Sequence, residues 1–597
     1  MSTLFQAVRQ LLLLAYRCDR RRLARASAML AVGFLSTPLI ALCLKSLTTA
    51  ALRHDVGTAV RLALATALLL VLELMMNHFA HLSYFELGDL GEVELQNELI
   101  TLAHGDSGLE RLDTPAYADT LALVREDLPR TRASLEAVLQ LGGLALQMAL
   151  TAVLLGLLSP WLLLLPLAGA VPVAAGNRAQ RLVDRAKEDC APLIRMGRHL
   201  LETGTTHASA KEIRLAGADG VLIDRHHRDW ERTTAVLWHA QSAGALLRAA
   251  GQTTFAAAYG GAIYLVVRQA LHGGAGLGDV ILVITLAAQV SFQVSNALGL
   301  LTILQGAGRT MERLGELRGL AAPAPAQEPE GGAPAVPVVL TRGIRLEEVS
   351  FHYPDSDRRI LDAVTLDIPA GTALAVVGEN GAGKSTLVKL LCGLYQPTSG
   401  RILVDGMDLA GLDRREWQRR VSTLFQDFAR LELRLRDNIG IGDLAALDDD
   451  HALQAAIDAA EADPVRAQVT GGLDGLLGRS YGDGTELSGG QWQKLGLVRA
   501  LLRRRPLLVA LDEPASALDA TAEHALFERF AGLVAEARAD TGAVTLLVSH
   551  RFSTVRMADL IVVLEQGRIA EVGSHADLVA SGGLYAELYD LQARVYA

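Results

Sequence analysis

Between Gly378 and His550 the chain carries three short groups of residues suited to holding and cleaving a polyphosphate. The first is Gly378-Glu379-Asn380-Gly381-Ala382-Gly383-Lys384-Ser385-Thr386, which fits the pattern G-x-x-x-x-G-K-[ST] from Gly378 to Ser385. Its glycines let backbone N–H groups approach phosphate oxygens, and Lys384 is placed for the β and γ phosphates of ATP. The Ser385 hydroxyl suits Mg²⁺, and the helix expected after it turns its positive end toward the nucleotide. The second group is Leu487-Ser488-Gly489-Gly490-Gln491, where a hydroxyl cap and two glycines open a helix and make another seat for an anion. The third is Asp512-Glu513 at the tip of the apolar run 507–511. Asp512 suits the Mg²⁺ shell, and Glu513 is placed to orient or deprotonate an attacking water, the positioning work that phosphoryl transfer mainly needs.

Two phosphate seats in one chain are one more than a single γ-phosphate requires. The second seat is therefore expected to cover the ATP of a facing subunit; an ordinary capped helix would leave the Gly489-Gly490 pair without a purpose.

The elements that must carry these groups fall in the second half of the chain. Residues 373–377 read as a buried strand ahead of the glycine loop, and short β-branched runs alternate with amphipathic helical stretches from there on, the pattern of an α/β domain around a mostly parallel sheet. Before it, 321–337 is rich in Pro, Ala and Gly and too poor in large apolar residues to pack. The expected organisation is a membrane domain over 1–320, a linker over 321–342 and an ATPase domain over 343–597.

Half of the 597 residues are apolar, and they concentrate in the first part of the chain. Stretches at 26–44, 58–76, 138–158, 161–176, 246–267 and 280–304 each approach the ~20 residues that cross a bilayer. Six spans are expected, with Ser159-Pro160 as an outer hairpin turn. Arginines cluster at 17–25, 111–132, 178–232 and 309–313, which assigns those segments to the cytoplasm. The two long inner loops are polar and helical in pattern, so the helices of the bundle should extend well beyond the membrane. Arg20, Arg21, Arg22 and Arg25 precede a run long enough to span, so the N-terminus reads as a retained signal anchor. A net charge of −10 and the lack of basic stretches interleaved with aromatics argue against a nucleic-acid partner. Cys18, Cys43, Cys190 and Cys392 are far apart, which suggests neither a disulfide framework nor a zinc site. Lysine appears only at 45, 187, 211, 384, 389 and 494, and this arginine bias points to a GC-rich bacterial genome.

These motifs, in this order and spacing, resemble those of ABC transporters of the exporter type, and the resemblance covers almost the whole chain. It implies a membrane α-helical bundle fused to an α/β P-loop ATPase, two such halves pairing as a dimer in a bacterial cytoplasmic membrane, and the ATPase domain in the cytoplasm. It also implies further roles. Gln426 in Leu424-Phe-Gln-Asp427 is similar to the glutamine that senses the γ-phosphate and joins the Mg²⁺ shell; His550 in Val548-Ser-His550 is similar to the switch histidine. Tyr353 in Phe351-His-Tyr-Pro354 is similar to the aromatic that stacks on adenine, a core aromatic being the alternative, and Asp519 in Ser516-Ala-Leu-Asp519 to the D-loop acid at the dimer interface. The stretches 112–119 and 211–217 resemble the coupling helices that dock onto the ATPase domains. Gly484-Thr-Glu-Leu487 and Trp492-Gln-Lys494 are closest to exporters of lanthionine and other ribosomal peptides. No protease domain precedes the first span, so any leader peptide is expected to be removed elsewhere.

Lys384, Gln426, Glu513 and His550 are all of the expected types, so two identical copies would hydrolyse ATP at both sites. Within the spans Glu73, Asn77 and His78 stand near the inner end of the second stretch; Glu73 would suit a cationic substrate or a partner helix. Gln289, Gln293 and Asn296 share helical spacing that suits either a cavity lining or polar contact between helices. His226 and His227 read as a solvated face. The expected activity is ATP-driven export of a modified peptide or other amphipathic small molecule. Alternatives are a lipid or multidrug exporter, an exporter-fold siderophore importer, and an ATP-gated regulatory membrane protein. A soluble ATPase acting on DNA ends would need a long coiled-coil insertion and no spans, the reverse of this pattern.

Overall fold

The computed structural model describes residues 2–105, 109–272, 276–321, 334–514 and 535–596. The chain divides into two compact units, one of Met1–Leu102 with Thr120–Gly319, the other of Ala103–Asp119 with Leu320–Ala597.

The first unit is helical. Ser2–Leu52, Val56–Ala103, Thr131–Leu158, Asp219–Leu271 and Leu277–Ala321 are its long members, and the 53 residues of Asp219–Leu271 reach about 80 Å at 1.5 Å per residue, far more than the ~30 Å of a hydrocarbon core. Among the described residues, four helical stretches are long and apolar enough to cross a bilayer: Leu4–Leu52, Val56–Ala103, Pro115–Leu158 and Leu277–Leu320. The other two expected spans differ. Residues 161–176 fall on the short helices Pro160–Leu163 and Leu164–Ala168 and the start of Ala170–Asp189, with a turn at Gly169 and the missing N–H of Pro172 interrupting the run. Residues 246–267 lie inside Asp219–Leu271, where Arg248, Gln252, Thr253 and Thr254 dilute its apolar character.

Local chemistry explains the joints. Helix Ser2–Leu52 is broken at Asp19 (φ −159°, ψ 99°), whose carboxylate accepts the N–H of Arg21 at 2.8 Å and of Arg22 at 3.0 Å, so Asp19 caps a new helix. Ser159 leaves helix Thr131–Leu158 extended, and Pro160 opens the next turn, the tight hairpin expected there. Small residues let helices close up: a Cβ on Gly251 would lie 2.9 Å from that of Ala175 and 3.0 Å from Pro172 Cα, so Asp219–Leu271 meets Ala170–Asp189 almost backbone to backbone.

The second unit is built on two sheets. Strands β1 (Gly343–Phe351), β2 (Leu361–Pro369), β4 (Ser399–Val404) and β5 (Met407–Asp408) form an antiparallel sheet in the order β2-β1-β4-β5. Strands β3 (Ala373–Gly378), β6 (Val421–Leu424), β7 (Leu508–Asp512), β8 (Val544–Val548), β9 (Leu560–Glu565) and β10 (Arg568–Gly573) form the other, in the order β10-β9-β3-β8-β7-β6, parallel except for β10. Every residue of β7 and β8 is buried, as strands covered on both faces must be. One core joins the two sheets through Leu346, Leu374, Val376, Trp417 and Leu546; a second packs helices Asp450–Ala459 and Gly489–Leu502 together through Leu453, Ile457, Trp492 and Val498.

The segment 103–119, part of the first expected inner loop, belongs to this second unit. Leu109 N–H donates to Leu394 O at 3.1 Å, Tyr395 donates its hydroxyl proton to Asp113, and Gln396 N–H donates to Glu110. The stretch 211–217 lies in the first unit, on helix His207–Ala216, ended by Gly217 in the left-handed conformation.

Candidate nucleotide site

The C-terminal ends of the parallel strands, where open α/β sheets bind ligands, gather most of the residues singled out above. The loop after β3 is held by its glycines. Gly378 has φ +150°, and a Cβ on it would stand 2.2 Å from Leu564 O of the adjacent strand. Gly383, at φ +105°, caps helix Lys384–Leu391, and a Cβ there would lie 2.9 Å from Ile360 O. Lys384 Nζ donates to the carbonyls of Gly378 at 2.8 Å and Glu379 at 2.9 Å, so the ammonium sits at the mouth of the loop. Burial pushes its pKa below the ordinary lysine value, against the opposing pull of the Glu513 and Asp512 carboxylates.

β7 delivers the two carboxylates. Asp512 is 3% exposed, and its Oδ1 has no hydrogen-bond partner. Burial raises its pKa; the neighbouring Glu513 charge adds to this, while a hydrogen bond from Ser385 and the charge of Lys384 oppose it. A buried carboxylate oxygen without a partner, beside a serine hydroxyl, is the hard oxygen set that Mg²⁺ takes. Among the described residues no cluster of three or more His, Cys, Asp or Glu suited to a metal is found, and an ion held here would complete its shell with water or ligand oxygens.

Glu513 departs from ordinary backbone geometry. Its φ is +50°, uncommon for a residue with a Cβ. Two hydrogen bonds pin it: its N–H donates to Val548 O at 2.9 Å, and Gln493 Nε2 donates to its carbonyl at 3.2 Å. The side chain meets both residues named by resemblance. Gln426 Nε2 donates to Glu513 Oε2 at 3.0 Å, and His550 Nδ1 lies 3.5 Å from Oε1. Gln426 follows β6, Glu513 follows β7 and His550 follows β8, so the order β8-β7-β6 brings the three together. Glu513 is sheltered at 16% exposure while His550 is open at 57%.

Tyr353 lies half-buried beside the glycine loop. Its hydroxyl is 3.1 Å from Thr386 Oγ1, and its ring meets Phe351 and Tyr395 edge-on at 5.1 and 5.5 Å. Sequence reasoning did not find Tyr395, which joins this aromatic group to Asp113, nor Gln493, which pins Glu513; neither carries a local signal.

The second glycine turn sits on the other core. Leu487 is buried, and Ser488 caps helix Gly489–Leu502 in a reciprocal box: Gln491 N–H donates to Ser488 Oγ at 3.3 Å, and Ser488 N–H donates to Gln491 Oε1 at 2.8 Å. Nothing within 4 Å would obstruct a Cβ on Gly489. Asp519 lies outside the described residues.

Residues 361–516 match the family model described as ABC transporter. Over almost its full length it also has the ABC-exporter fold, with a TM-score of 0.80 to a solved bacterial Atm1-family ABC exporter with ATP bound, 24% identical, covering 96% of this chain and 98% of that one. Among curated proteins it is similar to the nisin transport ATP-binding protein of Lactococcus lactis subsp. lactis, 37% identical over 41% of this chain and 40% of the relative. An ATP-dependent lipid A-core flippase of Xanthomonas oryzae pv. oryzae is 30% identical over 67% of this chain and 65% of its own length. The matches to the first curated relatives thus span between 38% and 52% of their lengths.

Proposed function

We propose that the chain is a half-transporter that pairs with a second copy, or a related half, and couples ATP hydrolysis to export of an amphipathic molecule across a bacterial cytoplasmic membrane. The observation that carries this reading is the convergence of Lys384, the Ser385–Asp512 pair and the Gln426–Glu513–His550 group at one edge of one sheet. The loop from Gly378 to Thr386 cradles the phosphates, Lys384 exchanges its two carbonyl partners for phosphate oxygens, and Tyr353 offers its ring to the adenine. Ser385, Asp512 and Gln426 would hold Mg²⁺, which would supply charge neutralisation at the phosphates. Glu513 takes the proton of the attacking water and is steadied by Gln426; His550, open to solvent, stands on its other oxygen. Ser488, Gly489, Gly490 and Gln491 cover the nucleotide of the facing subunit, and Asp519 lies near the same interface.

In this reading, segment 103–119 transmits the closure of the ATPase units, because its Glu110 and Asp113 hold the turn directly after helix Lys384–Leu391. Six membrane helices carry the cargo path. The relatives' names concern nisin, a peptide, and lipid A-core, a lipid, which supports an amphipathic cargo; the peptide exporter is favoured by the residues around the second glycine turn. The test is ATP hydrolysis by the full chain in lipid nanodiscs. Glu513→Gln should keep nucleotide binding and lower turnover ~10²–10⁴-fold, the usual worth of a general base; brisk turnover from this variant defeats the assignment. Proteoliposome transport of an amphipathic peptide, a lipid and a siderophore then separates the cargo classes.

A further inference from the structure

A polar seam crosses the apolar part of the first unit where helices Ser2–Leu52, Val56–Ala103 and Leu277–Ala321 meet. Thr37 donates its hydroxyl proton to Glu73 Oε1 at 2.8 Å, and Gln289 Nε2 donates to the Thr37 carbonyl at 3.1 Å. One turn before Thr37, Gly33 faces Asn77, one turn after Glu73: a Cβ on Gly33 would lie 2.6 Å from Asn77 Oδ1. The third helix also runs against the first, since Lys45 bonds Asp279 at 2.6 Å while Thr37 bonds Gln289. Gln293, one turn on from Gln289 and on the same face, therefore stands at the level of Gly33 and Asn77.

The seam holds buried polar atoms without partners, acceptors outnumbering donors. Gln293 is 1% exposed, and neither its Nε2 nor its Oε1 has a partner; Gln289 Oε1 is buried and unpartnered as well. Glu73 receives one hydrogen bond from a neutral hydroxyl, and no cationic side chain pairs with it among the described residues. Lys45, the cation further along the first helix, is committed to Asp279. Polar contact serving only to fasten helices would satisfy its own groups, because unpaired polar atoms in an apolar setting are costly. Here a carboxylate and two amide oxygens await donors, while Thr37, Glu73 and Gln289 remain partly exposed and open to an entering group.

We propose that this seam is a cargo-binding site for a primary ammonium group carried on an apolar body. An ammonium has three donors and no acceptor, which matches Glu73, Gln289 Oε1 and Gln293 Oε1; Gln293 Nε2 is left to donate to an oxygen beside the amine. The inference rests on the export reading above and names its substrate class.

The test uses the full chain in lipid nanodiscs and dansylcadaverine, a fluorescent primary amine, beside its N-acetylated form. Fluorescence titration should show the amine binding at least tenfold tighter than the acetylated probe, with Glu73→Gln erasing the difference. Gln293→Leu should weaken amine binding severalfold while the melting temperature holds or rises, since it removes two unpaired buried atoms. Equal affinity for the two probes, or a Gln293→Leu protein that melts lower and binds amine unchanged, overturns the proposal and leaves the seam as a helix fastener. ATP hydrolysis by the unsubstituted chain is read in parallel. Its absence, with amine-selective binding intact, counts against the transport reading alone; its presence without amine selectivity counts against the site alone.

Discussion

The two glycine turns of the ATPase unit meet their surroundings in opposite ways. At Gly378 and Gly383 the chain's own backbone occupies the space a side chain would need, Leu564 O in one case and Ile360 O in the other, and both residues have positive φ. At Gly489 nothing stands within 4 Å, and the backbone around it is the regular start of a capped helix. The first turn's glycines are thus accounted for inside this chain. The second turn's Gly489 is not: a helix start would accept alanine, which is the better helix former. In the proposed reading, a nucleotide shared with a second subunit would occupy the space beside Gly489.

The largest effect expected from this contrast is at Gly383. Alanine there meets a backbone carbonyl as well as a φ of +105°, so the cost should exceed the ~1–3 kcal/mol of a strained conformation alone. Gly383→Ala should lower the melting temperature and reduce binding of a fluorescent ATP analogue by more than 100-fold. Unchanged binding would break the first half of the comparison.

Gly489→Ala should do the reverse. Its stability should stay within the ~0.5 kcal/mol scatter of neutral surface changes, and ATP should bind as before, while hydrolysis drops ~10-fold or more because the facing nucleotide no longer fits. Normal turnover would mean that the second turn is only a helix start. Ser488→Ala is less clean, since it also removes a cap worth ~1 kcal/mol, so a lowered melting temperature should accompany its loss of turnover.

What the sequence made legible follows the range of the interactions. The glycine loop and Asp512-Glu513 are contiguous, and their strand and helix follow from local pattern, so they were readable without a fold. The meeting of Gln426, Glu513 and His550 depends on β6, β7 and β8 lying side by side, which no local pattern reveals; only resemblance named Gln426 and His550. The left-handed backbone of Glu513 carries no residue signal at all, and the bonds that accompany it come from Val548 and Gln493, outside its own local stretch. Asp113 and Tyr395 are 282 residues apart, and neither hints at the other. In the helical unit the shortfall was of another kind. Pro172 was visible in the fourth apolar stretch, but hydropathy weighs composition and overlooks the N–H a proline lacks. Asp19 was visible too, yet the arginines around it drew the reading toward membrane orientation and away from its capping carboxylate.

A third turn sharpens the contrast, because its anion comes from within. The N–H groups of Thr341, Arg342 and Gly343 converge on the carboxylate of Asp405, at 2.9, 2.8 and 2.9 Å. Burial alone would raise the Asp405 pKa, but these three donors outweigh it and hold the carboxyl below its ordinary value of 3.8. A group depressed in the fold contributes stability at pH above its unfolded value and loses it as pH falls through the folded one. Asp405→Asn keeps the shape and removes the charge, so it should cost about 1–2 kcal/mol at pH 7, in the range of hydrogen bonds to charged groups. In thermal melts of the full chain, the gap between parent and variant should narrow below about pH 4, once the parent carboxylate also takes up a proton. A gap that stays constant down to pH 3 would mean that packing, and not the carboxylate charge, fills this turn, and its use as the internally satisfied standard for the two phosphate turns would fail.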